Sequence, residues 1–217
     1  MKPEKYSLLQ PGEGLIVEKK SRFLSVAFPI ASAAEADELL TTRRKEHYDA
    51  RHNCFAYVLG EDDKNRRFSD DGEPSQTAGP PILEAIDAAS VCNTLVIVTR
   101  YFGGTLLGTG GLTRAYRDAA AAALSNAKKI LRKSGYTLNL SLDYNTYGRV
   151  EYYLRDKKLP VTDQAFEADV SLAVLVPQDM ADAVTADITE LSAGSATILR
   201  GDLLSYGLTD DNKVVRL

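Results

Sequence analysis

Residues 98–118 read VTRYFGGTLLGTGGLTRAYRD, and the reading of this stretch decides the fold. It leaves an apolar strand, crosses a glycine-rich loop and enters an Ala-rich helix. The strand, residues 94–99 (TLVIVT), is apolar on both faces, which predicts a central place in a sheet. Beyond the loop, Leu112, Ala115, Tyr116, Ala119, Ala120, Ala123 and Leu124 keep helical spacing and predict one buried helix face. Gly103, Gly104, Gly108, Gly110 and Gly111, the last two opening the helix, leave much of the backbone bare, and the loop carries little apolar bulk of its own. A bare backbone either turns sharply or lets something come close. Arg100, Arg114 and Arg117 flank it. Unbonded N–H groups and the helix dipole at such an N-terminus favour an anion.

The common nucleotides do not fit. A phosphate loop needs Gly, four residues, then Gly-Lys-Ser/Thr, and no lysine lies between Lys64 and Lys128. A dinucleotide fingerprint begins at Gly108-Thr109-Gly110, but position 113 is Thr rather than Gly. Two readings stay open. In one, the N–H groups of residues 110–112 bind phosphate with Arg114 or Arg117. In the other, the glycines serve positive φ and tight packing.

Outward from this stretch the chain is ordinary in composition, with 44% hydrophobic and 26% charged residues in 217. Its apolar runs are far too short to span a membrane, and the first residues lack an apolar signal core, so a soluble, cytoplasmic protein is expected. The net charge of −4 is uneven. Residues 1–135 carry 19 Lys+Arg against 17 Asp+Glu, and residues 136–217 carry 7 against 13. Two domains, 1–135 and 136–217, are therefore expected, the first mildly basic and the second acidic. Neither has the strongly basic footprint of a dedicated nucleic-acid binder.

In the first part, strands are expected over 15–18 and 23–29, joined by Lys19-Lys20-Ser21-Arg22. Ser32 and Glu35 form a capping box for a helix to about His47. Residues 52–60 (HNCFAYVLG) make a strand, 61–65 a polar turn and 66–69 a short return strand. Residues 69–81 are a loop, and Pro80-Pro81 open a helix that ends near Ser90. In the second part the order over 138–205 is strand, helix, strand, strand, helix, strand, the split βαβ pattern of ferredoxin-like domains.

Three further groups bear on chemistry. Asp70, Asp71 and Glu73 offer Mg²⁺ ligands or a general base, or else cap backbone N–H groups at the following helix. His47, His52, Cys54 and Cys92 raise zinc or a Cys–His dyad, but they lack metal-ligand spacing, and two reduced core thiols fit the compartment better. Arginines and lysines interleaved with Tyr48, Tyr57, Phe68, Tyr101 and Tyr116 suit phosphate contact and base stacking, or a plain solvated surface.

Ser21-Arg22-Phe23, HYDARHNCFAY at 47–57, SDDGEPSQTAGPP at 69–81 and TRYFGGTLLGTGGLTRAY at 99–116 together resemble the YigZ/Impact family, in its order and spacing, over about residues 15–125. The acidic remainder is similar to the small C-terminal domain of the bacterial members and to the last domain of elongation factor G. The resemblance implies an α+β fold: a two-layer N-terminal domain like the second domain of ribosomal protein S5, then a ferredoxin-like βαββαβ domain. It implies a role near RNA or the ribosome. Eukaryotic Impact proteins regulate translation by competing for an activator of the amino-acid-starvation kinase. That role uses an additional N-terminal domain and is not carried over to this chain. Two residues depart from the family's pattern, Gln76 where it usually has Gly and Pro80 where it usually has Lys. Arg51 stands where a smaller residue such as Thr is common.

The leading expectation is a non-enzymatic, translation-associated regulator. It would contact the phosphates of RNA or the ribosome through Arg100, Gly108, Gly110, Gly111, Arg114 and Arg117. His52, Asp71 and Glu73 would line the same cleft. The acidic domain would meet a protein partner or block the cleft. No cofactor, metal or membrane is implied. The alternative is an enzyme acting on a small phosphorylated or acidic substrate, with His52 as acid/base and Asp71 or Glu73 as its partner. A third reading is a protein-interaction module in which the glycine loops only build the fold.

Overall fold

The structure, a computed structural model, describes residues 4–60, 65–209, 211 and 213–217. Apart from Asn65, the polar turn expected over 61–65 lies outside the described residues. The fold is mixed α+β, with five helices and three sheets among the described residues. The chain divides into two compact units, up to Leu131 and from Arg132 onward.

The first unit runs β1 (Tyr6–Gln10), β2 (Gly12–Glu18), β3 (Ser21–Pro29), α1 (Ala33–Glu46), β4 (His52–Leu59), β5 (Asn65–Ser69), α2 (Gly79–Ala88), β6 (Thr94–Tyr101), α3 (Thr109–Asn126) and β7 (Lys128–Leu131). Its main sheet is antiparallel in the order β2-β3-β6-β4-β5. The apolar run at 94–99 thus lies in the central strand, β6, which is buried up to its last residue. Only Lys19 and Lys20 join β2 to β3, at φ 45° and 66°, the left-handed pair of a two-residue hairpin turn. Ser21 and Arg22, expected in that connection, belong to β3. β1 and β7, outside the strands expected from the sequence, pair in a separate two-stranded sheet.

Both faces of the main sheet are covered. Ala27, Cys54, Ala56, Val58, Val96 and Val98 pack against α2 and α3 through Ile82, Ile86, Leu112, Tyr116 and Ala120. On the other face, Val26, Phe55, Tyr57, Leu95 and Ile97 meet Ala36 and Leu40 of α1. The two-layer expectation is therefore corrected to three layers. β4 and β6 are apolar at both parities, and each apolar face must be buried. Ser32 caps α1 as expected: its Oγ accepts the Glu35 N–H at 3.2 Å, while Glu35 reaches back to the Ala31 N–H at 2.7 Å.

Glycines let α3 lie directly on β2. A Cβ at Gly12 would overlap the Ala123 carbonyl and the Ala127 backbone, and one at Gly14 would crowd Ala122. The alanine run of α3 and Gly12/Gly14 are thus two halves of one close contact. Ser25 adds a hydrogen bond from its Oγ to the Ala119 carbonyl at 2.6 Å.

The second unit runs β8 (Lys133–Leu142), α4 (Tyr144–Asp156), β9 (Val161–Phe166), β10 (Val170–Pro177), α5 (Ala181–Leu191), β11 (Thr197–Leu208) and β12 (Val214–Arg216). The composition break near residue 135 falls inside β8. The sheet is antiparallel in the order β12-β11-β8-β10-β9. Leu138, Leu140, Leu172, Val174 and Val176 pack on Val150, Leu154, Val184 and Ile188 of the two helices. Asp143 caps α4, accepting the Thr146 N–H at 2.8 Å, and these bonds hold its carboxyl below the usual range. β12 was not anticipated. Among the described residues no helix is long and apolar enough to cross a membrane.

The close α3–β2 contact makes opposite predictions for two glycines. Gly12→Ala should destabilise the protein by about 1–3 kcal/mol, the usual cost of overpacking. Gly148→Ala, in the interior of α4 with open space around it, should stabilise by up to about 1 kcal/mol. Urea unfolding of both variants checks this, and a neutral Gly12→Ala would contradict the packing.

Candidate functional site

Phe23, Arg100 and His52 stand directly opposite one another across β3, β6 and β4. Their side chains therefore leave the same sheet face, the one that carries α3. The Arg100 guanidinium lies 5.4 Å from the Phe23 ring and 5.7 Å from the Phe102 ring. Its Nη1 donates to Glu73 Oε1 at 2.6 Å, and the Tyr116 hydroxyl donates to the same oxygen at 2.7 Å. The two side chains of this ion pair are only 7% and 4% exposed. Nη2 lies 3.5 Å from Ser21 Oγ, which also accepts the Gly103 N–H at 3.1 Å. Gly103 is needed there because a Cβ would collide with the backbone of Lys20 and Ser21. Arg100 Nε–H is buried and has no acceptor.

The loop between β5 and α2 is tied down by its own carboxylates. Asp70 accepts the N–H groups of Gln76, Ala78 and Gly79 at 2.8, 2.9 and 2.8 Å. It thereby caps α2, whose N-cap residue Ala78 supplies no side-chain bond. Asp71 accepts the Asn53 N–H at 2.7 Å and an Arg44 Nη2–H at 2.8 Å. Glu73 is held by Arg100 and Tyr116. Gln76 sits at φ 64°, a left-handed conformation that explains why glycine suits this position. Its N–H still bonds Asp70. Pro80 lies in the first turn of α2, where a missing N–H costs the helix nothing.

His52 Nδ1 lies 2.9 Å from the Asp71 carbonyl. A carbonyl only accepts, so Nδ1 carries the hydrogen. The structure thus joins His52 to the backbone of Asp71, while the carboxylates of Asp71 and Glu73 bond elsewhere. Cys54 donates to the Asp70 carbonyl at 3.0 Å, and burial pushes its thiol far up. Cys92 donates instead to the Tyr6 carbonyl at 3.6 Å. His47 Nδ1 meets the Tyr101 hydroxyl at 2.9 Å, and that hydroxyl donates to Asp49 at 3.0 Å. Burial and the Arg43 guanidinium lower the His47 pKa. Among the described residues no group of three or more His, Cys, Asp or Glu is placed to hold a metal.

These elements border one cleft of about 640 Å³, lined by Asp49, Arg51, His52, Glu73, Pro74, Arg100, Tyr101, Phe102, Leu106, Leu107, Gly108, Thr109 and Leu112. Gly108, at φ 72°, is the N-cap of α3 and brings no side-chain cap. Leu112 N–H is the first to bond back, to the Gly108 carbonyl at 3.0 Å. The N–H groups of Thr109, Gly110 and Gly111 precede it in the first turn. Arg114 stands beside Gly110, its Nη1 3.8 Å from where a Cβ would be. Arg117 is exposed, 3.8 Å from Asp118. His52, Glu73, Arg100 and Gly108 therefore share the cleft wall, with Gly110 and Gly111 in the adjoining turn. Arg114 and Arg117 lie further along α3. The expectation of little apolar bulk in the loop is corrected: Phe102 and Leu106 are 55% and 82% exposed. Large apolar side chains between glycines are the signal that marks them.

Residues 19–124 match the Impact N-terminal domain, and residues 140–195 match a domain of unknown function, DUF1949. The chain is 36% identical over 198 residues to the IMPACT family member YvyE of Bacillus subtilis, covering 91% of each chain. It is 33% identical over 183 residues to the IMPACT family member YigZ of Escherichia coli, covering 83% of this chain and 90% of that one. A solved structure described as a hypothetical protein superposes with a TM-score of 0.58 at 30% identity, covering 93% of this chain and 99% of its own.

Removing one partner of the buried ion pair leaves an uncompensated charge. Glu73→Ala should cost about 3–5 kcal/mol of stability, whereas the exposed neighbour Ser75→Ala should change it by less than about 0.5 kcal/mol. Urea titrations compare the two, and a loss below about 1 kcal/mol for Glu73→Ala would remove the pair from the account of the loop.

Proposed function

The chain belongs to the IMPACT family, and from that membership we propose that it is a non-enzymatic, translation-associated regulator that binds RNA or the ribosome through the glycine-rich cleft of its first unit. The observation that carries this reading is the uncapped N-terminus of α3 opening on a cleft that also holds Arg51, Arg100 and the rings of Tyr101 and Phe102. Phosphate suits the N–H groups, and unstacked bases suit the rings. Arg114 and Arg117, exposed on α3, extend the positive surface beyond the cleft. Arg100 contributes donors rather than net charge, because Glu73 neutralises it.

The fold supports the same reading. The order β11-β8-β10-β9 with α4 and α5 fits a ferredoxin-like domain. The main sheet with α2 and α3 fits a domain like the second of ribosomal protein S5, with α1 added on its other face. The acidic second unit is the surface proposed for a protein partner. The enzyme reading is weaker, because it needs a carboxylate on His52 and the bond there is to a carbonyl.

Filter binding and ribosome sedimentation across a salt series test the proposal. With about three phosphate contacts to a single strand, affinity should fall roughly 20-fold between about 50 and 200 mM salt. No binding at low salt, or binding without a salt slope, would overturn it. The second of these outcomes would favour a protein-interaction surface built on Phe102 and Leu106.

A further inference from the structure

We propose that the cleft is a mononucleotide site, with a subsite for a terminal phosphomonoester at the first turn of α3 and a stacking surface for one base on Phe102. The inference rests on the RNA reading above and names what that cleft holds. Three sets of donors or acceptors border the same space. The first is the uncapped turn that starts at Thr109 on the cleft wall and continues through the adjoining Gly110 and Gly111. The second is Arg100, 6% exposed, rising from β6 on the α3 face into the cleft wall with its Nε–H unpartnered. The third is His52, whose Nδ1 is spent on the Asp71 carbonyl, so that Nε2 remains for a ligand hydroxyl.

Buried arginine donors are normally satisfied, and Arg100, bonded through its Nη atoms to Glu73 and Ser21, keeps an orphan Nε–H in the wall of the same cleft as Thr109. A terminal phosphate brings three oxygens and a charge near −2, against two free oxygens and one charge for a phosphate within a chain. It therefore matches this donor set better. Size argues the same way. At about 640 Å³ the cleft is in the small-ligand range. Duplex RNA, by contrast, is read by shape along two successive minor grooves. One unstacked nucleotide fits, either free or as the end of an RNA chain.

Two substitutions separate the subsites while keeping both partners of the buried ion pair, although the Phe102 ring lies 5.7 Å from the Arg100 guanidinium. Gly110 has helical backbone and room for a side chain. Gly110→Asp places a carboxylate that stabilises the first turn yet repels a phosphate. Phe102→Ala removes an exposed ring. Calorimetry on the full chain at low salt would use adenosine, adenosine 5′- and 3′-monophosphate, and single-stranded RNA hexamers with a 5′-phosphate, a 3′-phosphate or hydroxyls at both ends.

One of the monophosphates should bind at least about tenfold more tightly than adenosine. Gly110→Asp should weaken it about tenfold without lowering the thermal melt, and Phe102→Ala should weaken it about tenfold by loss of stacking while still melting cooperatively. If the matching phosphorylated hexamer competes, the ligand is an RNA end; if only the free monophosphate binds, it is a mononucleotide. Equal binding of adenosine and the monophosphates overturns the phosphate subsite. Equal binding of all the hexamers, with no binding of the monophosphates, overturns the mononucleotide site and leaves RNA binding standing. No binding of any probe overturns both.

Discussion

Glu73 and Arg100 meet at 2.6 Å in a nearly dry interior, and the first unit is arranged around that contact. Removing two charges from water is costly, and a pair in such a place holds only when further bonds satisfy it. Tyr116 of α3 supplies one to Glu73, and Ser21 lies beside Arg100. The pair thus fastens the 70–78 loop to the central strand and to α3 at once. Asp70 and Asp71 complete the fastening through backbone N–H groups on α2 and β4. Three acidic residues in a row of four are in this way structural: they hold the wall of the cleft.

With those three acids held by the fold, the cleft sets Arg51, Arg100 and the start of α3 beside Asp49 and an apolar wall of Phe102, Leu106, Leu107 and Leu112. The first turn of α3 is left uncapped because its N-cap is glycine, and the same stretch of glycines lets the loop close against the β2–β3 turn. The two readings of the glycines are therefore compatible. Gly103 serves packing, Gly104 and Gly108 serve positive φ at 84° and 72°, and a Cβ at Gly110 would meet only the Arg114 guanidinium. Gly12 and Gly14 belong to the packing side, since they set α3 against β2.

Much of the fold was legible because burial imposes periodicity. The apolar run of β6 named the central strand, and the spacing of Leu112 to Leu124 named the residues that α3 buries. The third layer was missed because α1 buries only Ala36 and Leu40, too narrow a stripe to announce a covered face. The strands β1 and β7 were missed because five and four residues are too few to show alternation. Of the candidate site residues, some share one cleft wall while Asp71, Arg114 and Arg117 do not, and the bonds among them were not legible at all. His52, Glu73, Arg100 and Gly108 do line one cleft. Yet Glu73 finds Arg100 at a separation of 27 residues and Tyr116 at 43, and no local pattern encodes such partners. Nor does a sequence say whether a histidine meets a carboxylate or a carbonyl.

In the proposed role the first turn of α3 receives phosphate. Backbone amide chemical shifts of Thr109, Gly110 and Gly111, followed by NMR while a 5′-phosphorylated RNA oligonucleotide is added, test it most directly. Phosphate at this turn moves those three amides together with the His52 ring signals, along one saturating curve. Amides that stay still while signals elsewhere shift would contradict it.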